Sequence, residues 1–161
     1  MRQTSYALFA AGLAASTLCV AGSTNAQFQV NATVVDACTV AADDLSFGIY
    51  NPASTLALDA SSQIRVTCSL QTAYVVGLNA GSGSGATVSS RRMTKATDTL
   101  GYTVYRDSTR SLLWGQTSGV DTVSGVGSGL VNVHPVYGRV PVSQNVPAGT
   151  YQDTVTVTVQ Y

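Results

Sequence analysis

The sequence predicts an all-β protein, an antiparallel β-sandwich of short strands. Three observations carry that expectation. Val, Thr, Ser and Gly dominate the chain, a composition that suits strands and suits helices poorly. Apolar residues recur at every second position in segment after segment, the period of a strand with one buried face. Turn residues separate these segments at short intervals, with no helical period between them. The last of the segments, Thr154 to Tyr161, reads T-V-T-V-T-V-Q-Y and places Val155, Val157, Val159 and Tyr161 on one face. A terminal strand with one apolar face needs a neighbour on each side, supplied by its own chain or by another.

Residues 1–26 have the features of an export signal. Arg2 precedes the apolar stretch Tyr6 to Val20, and Thr24-Asn25-Ala26 is a small-residue cleavage pattern, with Ala21 as a second cleavage position. Leu18 before Cys19 disfavours lipidation, and the stretch lacks a charged stop-transfer flank, which disfavours a retained membrane helix. Residues 27–161 then suffice for one domain with its own core. No internal repeat and no second domain is evident.

Phe28, Val30, Ala32 and Val34 alternate with polar residues, and Cys38 and Val40 continue a strand that ends in Ala41 to Asp44. Ser46 to Tyr50 is a short apolar piece closed by Asn51-Pro52. Ile64, Val66, Cys68 and Leu70 are expected to point inward, with Arg65, Thr67 and Ser69 outward. Tyr74 to Leu78 is the next strand, and N-A-G-S-G-S-G (Asn79 to Gly85) is a loop. Arg91, Arg92 and Lys95 follow it and are expected on a solvated hairpin rim. Tyr102, Val104 and Leu112 to Trp114 flank a turn at Asp107-Ser108. Val120 to Gly129 reads as a glycine-rich loop. Leu130 to Val142 gives one or two strands, in which Pro135 and Pro141 imply edges or bends. Val146-Pro147-Ala148-Gly149 is a turn, and Tyr151 opens the final strand.

Charge and chemistry narrow the function. Charged residues make up 10% of the chain, against roughly 25% in typical proteins. Loss of the signal leaves seven basic against eight acidic residues, a net charge of −1, with no basic patch for nucleic acid. A surface so poor in charge has little defence against edge-to-edge strand pairing. Glutamate is absent and His134 is the only histidine, so no catalytic residues are assigned, and a small hydrolase or binding module is a minor reading. G-V-G-S-G in the second glycine-rich loop lacks the lysine and helix of a phosphate loop. Asp43-Asp44 offers too few oxygens for calcium, and no metal or cofactor site is expected. Cys38 and Cys68 remain in the exported chain. They are expected to form one disulfide, closing a loop of about 30 residues; two free buried thiols are the alternative.

Several segments resemble one known family. V-V-D-A-C-T-V (Val34 to Val40), S-F-G-I-Y-N-P (Ser46 to Pro52), V-T-C-S (Val66 to Ser69), G-Y-T-V-Y-R-D (Gly101 to Asp107) and P-A-G-T-Y-Q-D-T-V-T-V-T-V (Pro147 to Val159) are, in this order, similar to the spore coat protein U domain. That family includes the pilin subunits of archaic chaperone–usher pili. The resemblance covers residues 27–161 and implies an immunoglobulin-like β-sandwich that lacks its last strand. It implies a periplasmic chaperone that lends a strand, an outer-membrane usher, and other pilin subunits that replace the chaperone by donor-strand exchange. On it, Phe28, Val30, Ala32 and Val34 are donor side chains, and Val155, Val157, Val159 and Tyr161 border the acceptor groove or contact the chaperone. The alternative keeps Phe28 to Val34 in the chain's own sheet. The implied function is a secreted pilus subunit for adhesion and biofilm formation, without stable membrane insertion. A self-complemented surface or spore coat protein assembled without a usher is the rival.

Overall fold

The structure, a computed structural model, describes residues 21–161. Most of the expected signal, residues 1–20, lies outside the described residues. The chain divides into a unit ending at Thr33 and a compact unit, Val34–Tyr161. In the first, residues 21–33 form no strand and are exposed throughout.

The second unit is a sequence of eight strands: β1 (Cys38–Ala42), β2 (Leu58–Cys68), β3 (Ala73–Leu78), β4 (Arg91–Lys95), β5 (Asp98–Tyr105), β6 (Val123–Val126), β7 (Val131–Val140) and β8 (Val157–Gln160). They form a five-stranded sheet in the order β1-β2-β7-β5-β4 and a three-stranded sheet in the order β6-β3-β8. Every pairing is antiparallel, and the described residues contain no helix. This is the antiparallel sandwich that the alternating segments foretell.

The period of two decides which side chains meet between the sheets. Ile64, Val66 and Cys68 of β2, Tyr74, Val76 and Leu78 of β3, and Leu100, Tyr102 and Val104 of β5 are buried; their neighbours in sequence face outward or sideways. Burial of each such side chain contributes about 1.5–3 kcal/mol. Trp114, from the linker between β5 and β6, is fully buried, and its indole Nε1 donates to the Val76 carbonyl at 3.0 Å. The disulfide joins Cys38 and Cys68, which stand opposite each other in the β1–β2 register.

Four expectations need correction. Leu70 is exposed, because β2 ends at Cys68 and the chain turns there, with Gln71 N donating to Gly127 O. The glycine-rich stretch 120–129 contains β6; the outer edge of β3 takes it as a partner, and Gly125 leaves room for the Tyr74 ring. Arg91 is fully buried instead of lying on a solvated rim, while Arg92 and Lys95 stay partly exposed. Tyr151 does not open the last strand: β8 starts at Val157, and Gln152 instead makes an isolated bridge to Thr94. Pro135 sits inside β7, yet β5 pairs with β7 only from Tyr137 to Arg139. The proline therefore occupies a locally open edge, where its missing N–H is tolerated.

Candidate functional site: an open groove beside the C-terminal strand

β8 pairs with β3 on one side, and β1 pairs with β2 on one side. Among the described residues, no strand pairs with the other edge of either. The two strands belong to different sheets and approach each other along one seam of the sandwich. Val155, Val157 and Val159 point inward and pack against the core, yet all three are only half-buried.

A groove of about 1040 Å³ runs along the seam. Its floor is core: Ile64, Leu78, Leu100, Tyr102, Val136 and Val140. One wall is the segment Leu45–Tyr50, which has no strand geometry but lies against the core through Leu45, Phe47 and Tyr50. Gly138 of β7 makes that approach possible. A Cβ there would stand 2.7 Å from both Leu45 Cδ2 and Phe47 Cζ. Phe47 meets Tyr102 edge to face at 5.9 Å between ring centroids. Tyr50 Oη donates to Pro141 O (3.1 Å) and accepts from Gln144 N (2.9 Å), which pins the end of the wall.

The opposite wall is Val146 to Val157. Thr94 and Gln152 exchange backbone hydrogen bonds at 2.7 and 3.1 Å, and Lys95 Nζ donates to Ala148 O. Asp153 fixes the start of the C-terminal segment. Its carboxylate accepts from Tyr102 Oη (2.7 Å), Ser82 N (2.7 Å), Ser82 Oγ (2.8 Å) and Thr154 N (2.8 Å). Burial alone would raise its pKa, but the Tyr102 and Ser82 hydrogen bonds outweigh that and hold it below the ordinary value. Tyr102 is pushed up, first by burial and then by the bond to Asp153.

The sequence-derived site residues fall as follows. Val155 and Val157 line the groove; Val159 packs against the core beyond it; Tyr161 is exposed. Phe28, Val30, Ala32 and Val34 belong to no strand and are exposed, Phe28 at 87% and Val30 at 82%. Sequence reasoning missed the wall residues Leu45, Phe47 and Tyr50 as parts of the site. The alternation in L-S-F-G-I-Y was their signal, but Ile49 breaks it by facing solvent.

The residues weighed for chemistry have structural roles. His134 Nε2 meets the Tyr74 hydroxyl at 3.0 Å, and burial lowers its pKa. Asp43 forms a two-pronged ion pair with Arg65 at 2.7 Å and gathers no further carboxylate. No helix among the described residues is long and apolar enough to cross a membrane.

A groove floored by core side chains and flanked by an unpaired strand edge is shaped for an extended chain. At about 1040 Å³ it slightly exceeds the usual range of small-ligand clefts, about 300–1,000 Å³. The Spore Coat Protein U domain model matches residues 24–158. The chain belongs to the spore coat protein U domain family. One family relative, Protein U of Myxococcus xanthus, is 39% identical over 167 residues, covering 94% of this chain and 93% of the relative. Among solved structures, the chain is similar to one in the CsuC–CsuE chaperone–tip adhesion subunit pre-assembly complex, from archaic chaperone–usher Csu pili of Acinetobacter baumannii. That likeness has 30% identity and a TM-score of 0.60 and covers 80% of this chain. The chain spans 40% of the length of that structural neighbour. This spore coat protein U domain thus shares its fold with part of a chain in that pre-assembly complex.

Proposed function

We propose that this chain is an exported structural subunit of a chaperone–usher pilus, and that residues 1–26 are its signal and 27–161 its pilin domain. The single observation that carries the reading is the half-buried row Val155, Val157 and Val159 beside a groove whose floor is core. In the periplasm a chaperone strand occupies the groove. At an outer-membrane usher, Phe28, Val30, Ala32 and Val34 of the next subunit replace it, adding a strand to the free edge of β8. Burial of Phe28 or Val30 contributes about 1.5–3 kcal/mol each, which an exposed segment cannot collect in isolation. The resulting surface fibre serves attachment and biofilm formation.

The test is deletion of residues 27–33. Sheared surface protein from the parent chain should run unheated as a ladder that collapses to one band on boiling. The deletion should abolish the ladder while leaving a soluble chaperone-bound monomer. A ladder that persists after the deletion would sink the donor assignment.

The match to the Spore Coat Protein U domain model supports a second reading, a self-complemented coat protein assembled without a usher. It requires a monomer band in both lanes and no chaperone or usher genes beside this one.

A further inference from the structure

The two ends of the sandwich expose apolar side chains in related places. At one end the turns after β2 and before β7 meet: Gln71 N donates to Gly127 O at 2.8 Å, and Gly129 N to Cys68 O at 3.2 Å. Leu70 and Leu130 stand on these turns, 71% and 73% exposed. The chain enters the domain at the same end, and its entry is clamped. Ala37 N donates to Ser69 Oγ (3.0 Å), Ser69 N donates to Ala37 O (2.9 Å), and Thr72 Oγ1 donates to the Asp36 carboxylate (2.7 Å). At the opposite end, about 34 Å away along the 11 residues of β2, Ile49 (92% exposed) lines the groove and Leu56 (78%) precedes the first residue of β2.

Resting on the strand-exchange reading, we propose that these ends dock head to tail. The Leu70–Leu130 end of one copy presses on the Ile49–Leu56 end of the copy that receives its N-terminal segment. Direction supplies the first argument. All pairings here are antiparallel, and β8 runs from Val157 beside Leu78 to Gln160 beside Val75. A strand added antiparallel to β8 runs the other way, so its C-terminal end emerges at the Ile49–Leu56 end. Reach supplies the second. If Val34 is the last donor side chain, the three residue steps from Val34 to the clamped Ala37 span at most about 11 Å. The donating domain has no slack to stand clear, so its exit end must face the receiving groove mouth closely. The contact is heterologous and repeats from copy to copy, so it builds an open fibre wherever the rotation between copies does not close.

The test places the photo-crosslinker p-benzoylphenylalanine at Leu130 of the full chain, on cells that make the fibre. After illumination, a covalent dimer that survives boiling is expected, with the cross-link mapped to residues 45–57 of a second copy. A second variant with the probe at Ile49 should map to residues 68–72 or 127–131. Addition of Ile49→Ser and Leu56→Ser to the Leu130 probe chain should cut the dimer yield. Boil-sensitive ladders without these cross-links, or with cross-links elsewhere, would overturn the docking while leaving strand exchange intact. Absence of any ladder from the unmodified chain would instead remove the strand-exchange reading, and the docking with it.

Discussion

Arg91 shows how far a single residue can depart from its sequence context. It follows a glycine-rich loop and stands beside Arg92, yet its guanidinium is buried and makes no ion pair among the described residues. Its donors go to backbone carbonyls instead: Nε to Asn79, Nη1 to Val88, and Nη2 to Leu78 and Trp114. Burial lowers its pKa, although a guanidinium stays charged at any physiological pH. One side chain thus ties the end of β3, the loop before β4 and the Trp114 segment together. Arg91→Met should cost at least about 3 kcal/mol, because several buried carbonyls lose their donor at about 1–3 kcal/mol each; chemical denaturation checks it. Asp153 sets a pH dependence. Its folded-state pKa is lowered, so its contribution is present above the unfolded value near 3.9 and is lost as pH falls below that. Asp153→Asn should lower the melting temperature at pH 7 by the equivalent of about 1.5–3 kcal/mol. The same substitution should flatten the acid limb below about pH 4, which thermal melts from pH 2 to 7 would show.

Among the elements, the wall Leu45–Tyr50 depends on a residue that contributes no side chain. Gly138 clears the space that Leu45 and Phe47 occupy, and Phe47 then rests on Tyr102. Gly138→Val should displace that wall and cost about 1–3 kcal/mol as an overpacked site. Its mark would be weakened capture of a donor strand, measured by competition with a synthetic peptide of residues 27–37, beyond what the stability loss explains. This wall also marks the limit of what the sequence discloses. The period-two segments of β2, β3, β5 and β8 are legible because a buried face imposes alternation. Leu45 and Phe47 are not legible as a wall, because their packing depends on an absent Cβ 91 residues further on in Phe47's case. Arg91 and β6 escape detection likewise: a buried cation satisfied by carbonyls, and a four-residue strand with a glycine inside it, leave no local pattern.

For the whole molecule, the proposed strand exchange makes stability conditional on what occupies the groove. A chain lacking residues 27–33 should gain about 10 °C in melting temperature when the 27–37 peptide is present at about a hundred times its dissociation constant, a coupling near 2.7 kcal/mol. Calorimetry with and without peptide checks this, and an unmoved transition would remove the groove as its binding site. Reduction of the Cys38–Cys68 bond should cost about 3–4 kcal/mol from the 30-residue separation it spans. Its loss should also loosen β1, an edge strand whose backbone pairs with β2 alone. That bond has a consequence for timing. Its two cysteines belong to the first two strands of the chain, so a polypeptide delivered N-terminus first can be locked there before β3 to β8 arrive. By the time β8 comes into place, β1 is already covalently tied to β2 in the other layer. The bond acts as a latch set early in folding, fixing the β1–β2 pair before the rest of the sandwich closes over it.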